Sequence, residues 1–136
     1  MVSMDRCITT PAPLAAERIS PPFATLPARS APMGLAFVPS TGLGPLAADT
    51  LVVAVHGSWA TQPRGDAAGP AYTRRAPMLV LINAQGQSEE LLSSLQLADG
   101  ERLMRPLGVI FGADGALYFT SDGGKVQGLL RLRAKE

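Results

Sequence analysis

Arg105-Pro106-Leu107-Gly108-Val109-Ile110-Phe111-Gly112-Ala113-Asp114-Gly115-Ala116-Leu117-Tyr118-Phe119-Thr120 decides the fold class. Two apolar runs flank Gly112-Ala113-Asp114-Gly115, a tight turn in which glycine supplies the positive φ that other residues resist. The segment reads as a β-hairpin. Downstream, Ser121-Asp122-Gly123-Gly124-Lys125 makes another turn and Gln127 to Leu132 a third strand, so the last third of the chain is an antiparallel meander.

Upstream, Met33 to Val38 is an apolar run stopped by Pro39-Ser40-Thr41-Gly42, and Thr50 to Val55 is a continuously apolar strand, as expected where both faces are covered. These two are expected to pair. Met78 to Ile82 is a further strand ending at Asn83-Ala84-Gln85-Gly86, whereas Ser88 to Leu92 suits either a short helix with a Ser N-cap or an edge strand. Residues 60–77 show no period and read as a long loop. Residues 1–20 are rich in Pro and Ala and read as a poorly structured arm; within residues 21–32 only Phe23 to Leu26 looks strand-capable.

Ala31-Pro32-Met33-Gly34-Leu35-Ala36-Phe37 repeats the texture of Arg105-Pro106-Leu107-Gly108-Val109-Ile110-Phe111. Each places Pro, an aliphatic residue and Gly at the head of an apolar strand. Repeated four-stranded units mark a β-propeller, so the expected architecture is all-β: an incomplete propeller of about two blades over residues 21–136, preceded by the arm.

Composition supports this class. Gly (14) and Pro (12) are too frequent for a coiled coil or long-helix bundle, and they lack the three-residue period of collagen. No apolar stretch approaches the roughly 20 residues of a membrane-spanning helix. Twelve Lys and Arg against 11 Asp and Glu provide no general attraction for nucleic acid. The lone Cys7 has no partner thiol in the chain, and Met1 to Thr10 lacks the apolar core of a secretory signal.

His56-Gly57-Ser58-Trp59 follows a buried-looking strand and brings the only His and the only Trp to one strand end. In a structural role, Trp59 covers the core edge and His56 bonds to backbone; in a functional role, both face a ligand. An apolar strand ending in His-Gly also suits the oxyanion loop of an α/β-hydrolase. That fold needs a Gly-x-Ser-x-Gly elbow and a second His, and the chain has neither. Arg105, Arg64, Arg74 and Arg75 suit planar carboxylates, although loop arginines such as the last three are more often solvated. Asp114 and Asp122 stand in turns, where local backbone N–H groups are the expected partners, and no metal-ligand set is apparent.

Taken in order, Pro21 to Ala28, Ser30 to Phe37, Leu51 to Trp59, Arg105 to Val109, Asp114-Gly115 and Ser121 to Gly124 resemble the C-terminal part of the glucose/sorbosone dehydrogenases. That resemblance runs from about Arg18 onward. It implies six-bladed propellers that oxidise an aldose or aldehyde sugar with pyrroloquinoline quinone (PQQ) and act in the periplasm or outside the cell. It implies His56 and Arg105 as cofactor-binding residues, with a calcium ion polarising the quinone oxygen in full-length members. The family's catalytic histidine lies in earlier blades, so no catalytic residue is assigned here, and the chain alone is expected to be inactive. Ala60-Thr61 and Leu107 stand where relatives carry cationic or amide residues. The alternative is a non-catalytic β module or truncated remnant, self-associating through exposed sheet edges.

Overall fold

The structure, a computed structural model, describes residues 20–40, 46, 48–58, 75–98 and 101–133. Those residues form two antiparallel sheets and no helix. The first sheet contains β1 (Pro32–Phe37), β2 (Leu51–Val55), β3 (Met78–Ile82) and β4 (Ser88–Leu92), in that order across the sheet. The second contains β5 (Pro106–Phe111), β6 (Leu117–Ser121) and β7 (Gly128–Leu132), also in chain order. Both are meanders, as the turn residues required. The expected arm at residues 1–20 lies outside the described residues except for Ser20, as does most of the expected loop at 60–77.

Two local readings are resolved. Ser88–Leu92 is an edge strand, because the side chain of Asn83 accepts hydrogen bonds from the amides of Gln85 (3.0 Å) and Gln87 (2.9 Å) and so closes the β3–β4 hairpin. Phe23 to Leu26, which looked strand-capable, joins no ladder. Instead Ala24 and Leu26 pack over Val53, Val55, Val80 and Ile82 on the outer face of the first sheet. That cover explains why β2 and β3 are apolar on both faces.

The opposite face of the first sheet holds the main core. Val52, Ala54, Leu79 and Leu81 meet Leu117 and Phe119 of the second sheet, with Val109, Phe111, Leu130 and Leu132 packed around them. Fully burying an aliphatic side chain such as Leu79 or Leu117 contributes about 1.5–3 kcal/mol, so this seam is the main source of cohesion between the sheets.

The sequence repeat is also a structural repeat. Pairing of β1 with β2 shifts register between Pro32 and Leu35, and pairing of β5 with β6 shifts at the equivalent place, between Pro106 and Val109. Where β1 crosses β5 the backbones nearly touch. A Cβ on Gly34 would lie 2.6 Å from the carbonyl oxygen of Leu107 and 2.9 Å from the Cα of Gly108. Those neighbours are main chain and cannot rotate away.

Gly34→Ala should therefore force the sheets apart and cost about 1–3 kcal/mol, in the range of other overpacking substitutions. The urea midpoint of the variant measures this. A midpoint equal to wild type would show that the seam is looser than the distances state.

Candidate functional site

The equivalent corners of the two sheets build one cluster. Each sheet's second strand ends in a polar residue followed by Gly: Val55-His56-Gly57 after β2 and Ser121-Asp122-Gly123 after β6. The amide of His56 donates to the carbonyl of Ala31 (3.1 Å), and the amide of Asp122 donates to the carbonyl of Arg105 (3.4 Å). Ala31 and Arg105 are equivalent in the repeat. The same backbone corner therefore occurs twice, and only the second copy carries a long cationic side chain.

Arg105 reaches from the second sheet to the first. Its guanidinium donates from Nε to the carbonyl of His56 (3.4 Å) and from a terminal nitrogen to His56 Nδ1 (2.8 Å). His56 Nε2 stands 2.7 Å from Asp122 Oδ1. An arginine can only donate, so Nδ1 is the acceptor; Nε2 then carries the hydrogen and donates to Asp122. Arg105 is 5% exposed, and its backbone amide donates to Ser121 Oγ at 2.9 Å. Gly123 leaves room for it: a Cβ there would lie 2.9 Å from Arg105 Cδ.

Burial pulls the Arg105 guanidinium below its ordinary value, and the Asp122 carboxylate opposes that shift. The hydrogen bond from His56 holds the Asp122 carboxyl below the usual carboxylate range; desolvation opposes this, and the charge of Arg105 adds to it.

The two residues named from the sequence, His56 and Arg105, thus lie in direct contact although 49 positions apart. His56 does not satisfy its ring on backbone, as its structural role would have required. Asp122 is more than the local turn residue expected of it, because its carboxylate accepts from His56. Asp114 does keep a turn role, accepting from the Ala116 amide at 3.1 Å, and it also accepts from the Tyr118 hydroxyl at 2.9 Å and pairs with Arg131.

Arg75 donates to the carbonyl of Ala28 and is not part of the cluster by any contact described. Trp59, Ala60, Thr61, Arg64 and Arg74 lie outside the described residues. Arg102 was missed. It donates to the carbonyl of Ser58 and so braces the segment that carries His56; the pairing of Arg102 and Arg105 just ahead of the β5 hairpin was the available signal.

A family model described as TrAA12-like matches residues 14–129. The chain belongs to the TrAA12-like family. Comparison with curated proteins and with solved structures returned no match. The match corrects the resemblance to the glucose/sorbosone dehydrogenases. Two of the blocks behind that resemblance carry Pro-x-Gly at the head of β1 and β5, and at Gly34 close stacking of the two sheets is by itself sufficient reason for the glycine.

Asp122 also sets an acid response. Unfolded, an aspartate titrates near about 3.9; in the fold it takes up its proton less readily. As pH falls the unfolded chain therefore gains protons first, and stability present above that value is lost through and below it. Asp114 acts in the same direction: desolvation works against its ionisation, but the hydrogen bonds from Tyr118 and Ala116 and the charge of Arg131 outweigh it. Urea midpoints measured across the acid range should fall less steeply in Asp122→Asn than in wild type. Equal slopes would show that the His56–Asp122 bond does not form in solution.

Proposed function

We propose that this TrAA12-like chain holds a carboxylate-bearing redox cofactor of the PQQ class at the Arg105–His56–Asp122 corner and does not supply the base that deprotonates a substrate. The observation that carries this is the guanidinium of Arg105, kept at a strand-end corner with its orientation set by two contacts to His56. A planar guanidinium in a fixed pose suits planar carboxylates, and PQQ carries three. When bound, such a quinone accepts the hydride equivalent of an oxidised alcohol or aldehyde hydrate, which would make the site part of an oxidoreductase acting on a sugar or aldehyde.

The chain's own residues have defined tasks in this reading. Arg105 binds, His56 fixes the guanidinium plane, and Asp122 fixes the His56 tautomer. With ionised Asp122 beside cationic Arg105, the corner has little net charge, so recognition relies on direction more than on long-range attraction. His56 is not available as a base, because its Nδ1 lone pair accepts from Arg105 and its Nε2 hydrogen goes to Asp122.

Titrating the full chain with PQQ, followed by quinone absorbance, tests the reading. Wild type should bind saturably and show no aldose-dependent dye reduction by itself. Arg105→Lys keeps the charge but loses the fork; loss of one charge-assisted hydrogen bond, about 1.5–3 kcal/mol, weakens binding roughly tenfold to a hundredfold. Gly123→Ala, which displaces the Arg105 side chain without removing it, should weaken binding in the same direction and guards against a folding defect in the first variant. Absent binding by wild type, or unchanged binding in both variants, would overturn the proposal.

A further inference from the structure

His56 stands between two charged groups and makes one hydrogen bond of each kind. Its Nδ1 accepts from Arg105 at 2.8 Å, and its Nε2 hydrogen goes to Asp122 at 2.7 Å. Only a neutral imidazole can do both, because the protonated ring donates from each nitrogen and a guanidinium has no lone pair to accept with. The ring is 15% exposed, so solvent protons reach it.

Among the described residues, Arg105 ahead of β5 and Asp122 after β6 are the charged groups whose side chains bond to this ring. The segment ahead of β1 meets His56 and Gly57 through the carbonyls of Ala31 and Ser30. Two further arginines approach the same segment and turn elsewhere: Arg75, beside Gly57, donates from Nε to the carbonyl of Ala28, and Arg102 donates to the carbonyl of Ser58. The two neighbours of the ring therefore act on it in opposite senses. Arg105 resists a proton on Nδ1, with its own N–H already pointed there, whereas Asp122 is already placed to accept from an imidazolium.

A carboxylate changes that balance. It is a stronger acceptor than an imidazole nitrogen, and one held by the Arg105 guanidinium at about 2.8 Å lies within roughly 8 Å of Nδ1, no more than one Debye length in physiological salt. Its charge favours the imidazolium, and by drawing the guanidinium N–H to itself it clears Nδ1. We infer that a carboxylate-bearing ligand binds at this corner together with one proton, taken up from solvent by His56 Nδ1. Having set the guanidinium plane in the free chain, His56 then joins Arg105 as a second donor, with Nε2 still held by Asp122. A corner that is nearly charge-balanced when empty becomes net positive as the anion arrives, and a neutral ligand induces no such change.

This coupling rests on the cofactor reading and adds its pH dependence. The complex holds more protons than the free chain, so affinity rises as pH falls through the range in which His56 titrates, by at most about tenfold per pH unit for one proton.

Titrating the full chain with PQQ from about pH 8 down to about pH 5 tests it, with quinone absorbance for affinity and calorimetry in two buffers of different ionisation enthalpy for the proton count. His56 is the only histidine of the chain, so its ring nitrogen resonances need no assignment and show directly where the protons sit. Affinity should rise as pH falls, and at a pH where Nδ1 is bare in the free chain both ring nitrogens should be protonated in the complex. His56→Asn offers Arg105 an acceptor that does not titrate, and should bind with a flat pH profile and no proton uptake. Should that variant fold poorly, the wild-type ring signals decide. Binding with Nδ1 still bare and no proton taken up, or uptake that persists in His56→Asn, would overturn the coupling and leave the cofactor reading standing. No binding at any pH would overturn both.

Discussion

The main-chain contact at Gly34 is the constraint on which the other features of the molecule depend. With no side chain at that position, β1 lies directly against the Leu107–Val109 backbone of β5, and the two sheets share one core of Val52, Ala54, Leu79, Leu81, Leu117 and Phe119. Sheets normally pack about 10 Å apart, held off by interdigitated side chains. Here the first strands of the two sheets come closer than that. The consequence lies at the strand ends: only when β1 and β5 are this near do the corners after β2 and β6 fall within one side chain's reach.

Those corners show how a repeat acquires chemistry. Backbone geometry is shared, with an amide-to-carbonyl hydrogen bond closing each corner at His56 and at Asp122. Side chains are not. Ala31 in the first sheet leaves its corner small, while Arg105 in the second crosses the seam and converts a pair of structural turns into a linked Asp–His–Arg set. A buried guanidinium is costly unless its hydrogen bonds are made, and here the adjoining sheet provides them. The cluster therefore also ties the two sheets together at their strand ends.

Much of this was legible in the residues. Turn chemistry at Gly112 to Gly115 and at Asn83 to Gly86 located the hairpins, and the Pro-x-Gly repeat located two equivalent strands. His56 and Arg105 stood out because a lone histidine at the end of a buried strand and an arginine at the head of a hairpin are both well placed for contact. What was not legible follows from distance along the chain. Asp122 looked like a turn residue because its partner lies 66 positions away, and nothing local signals that bond. Ser88 to Leu92 was ambiguous because an edge strand with one wet face and a first helical turn place the same residue types in the same order. Phe23 to Leu26 has the apolar content of a strand, and what it does with that content is cover a sheet face without pairing.

The same repeat misled the reading of ancestry. Pro-x-Gly blocks looked like a family signature, yet Gly34 shows that close stacking alone is enough reason for the glycine. Gly108 has its own reason within the fold: a Cβ there would lie 3.2 Å from Thr120 Oγ1, the hydroxyl that accepts from the Gly108 amide at 2.8 Å. One glycine admits a neighbouring main chain and the other a neighbouring side chain, so the recurrence of the motif answers two local packing needs at equivalent places in the two sheets.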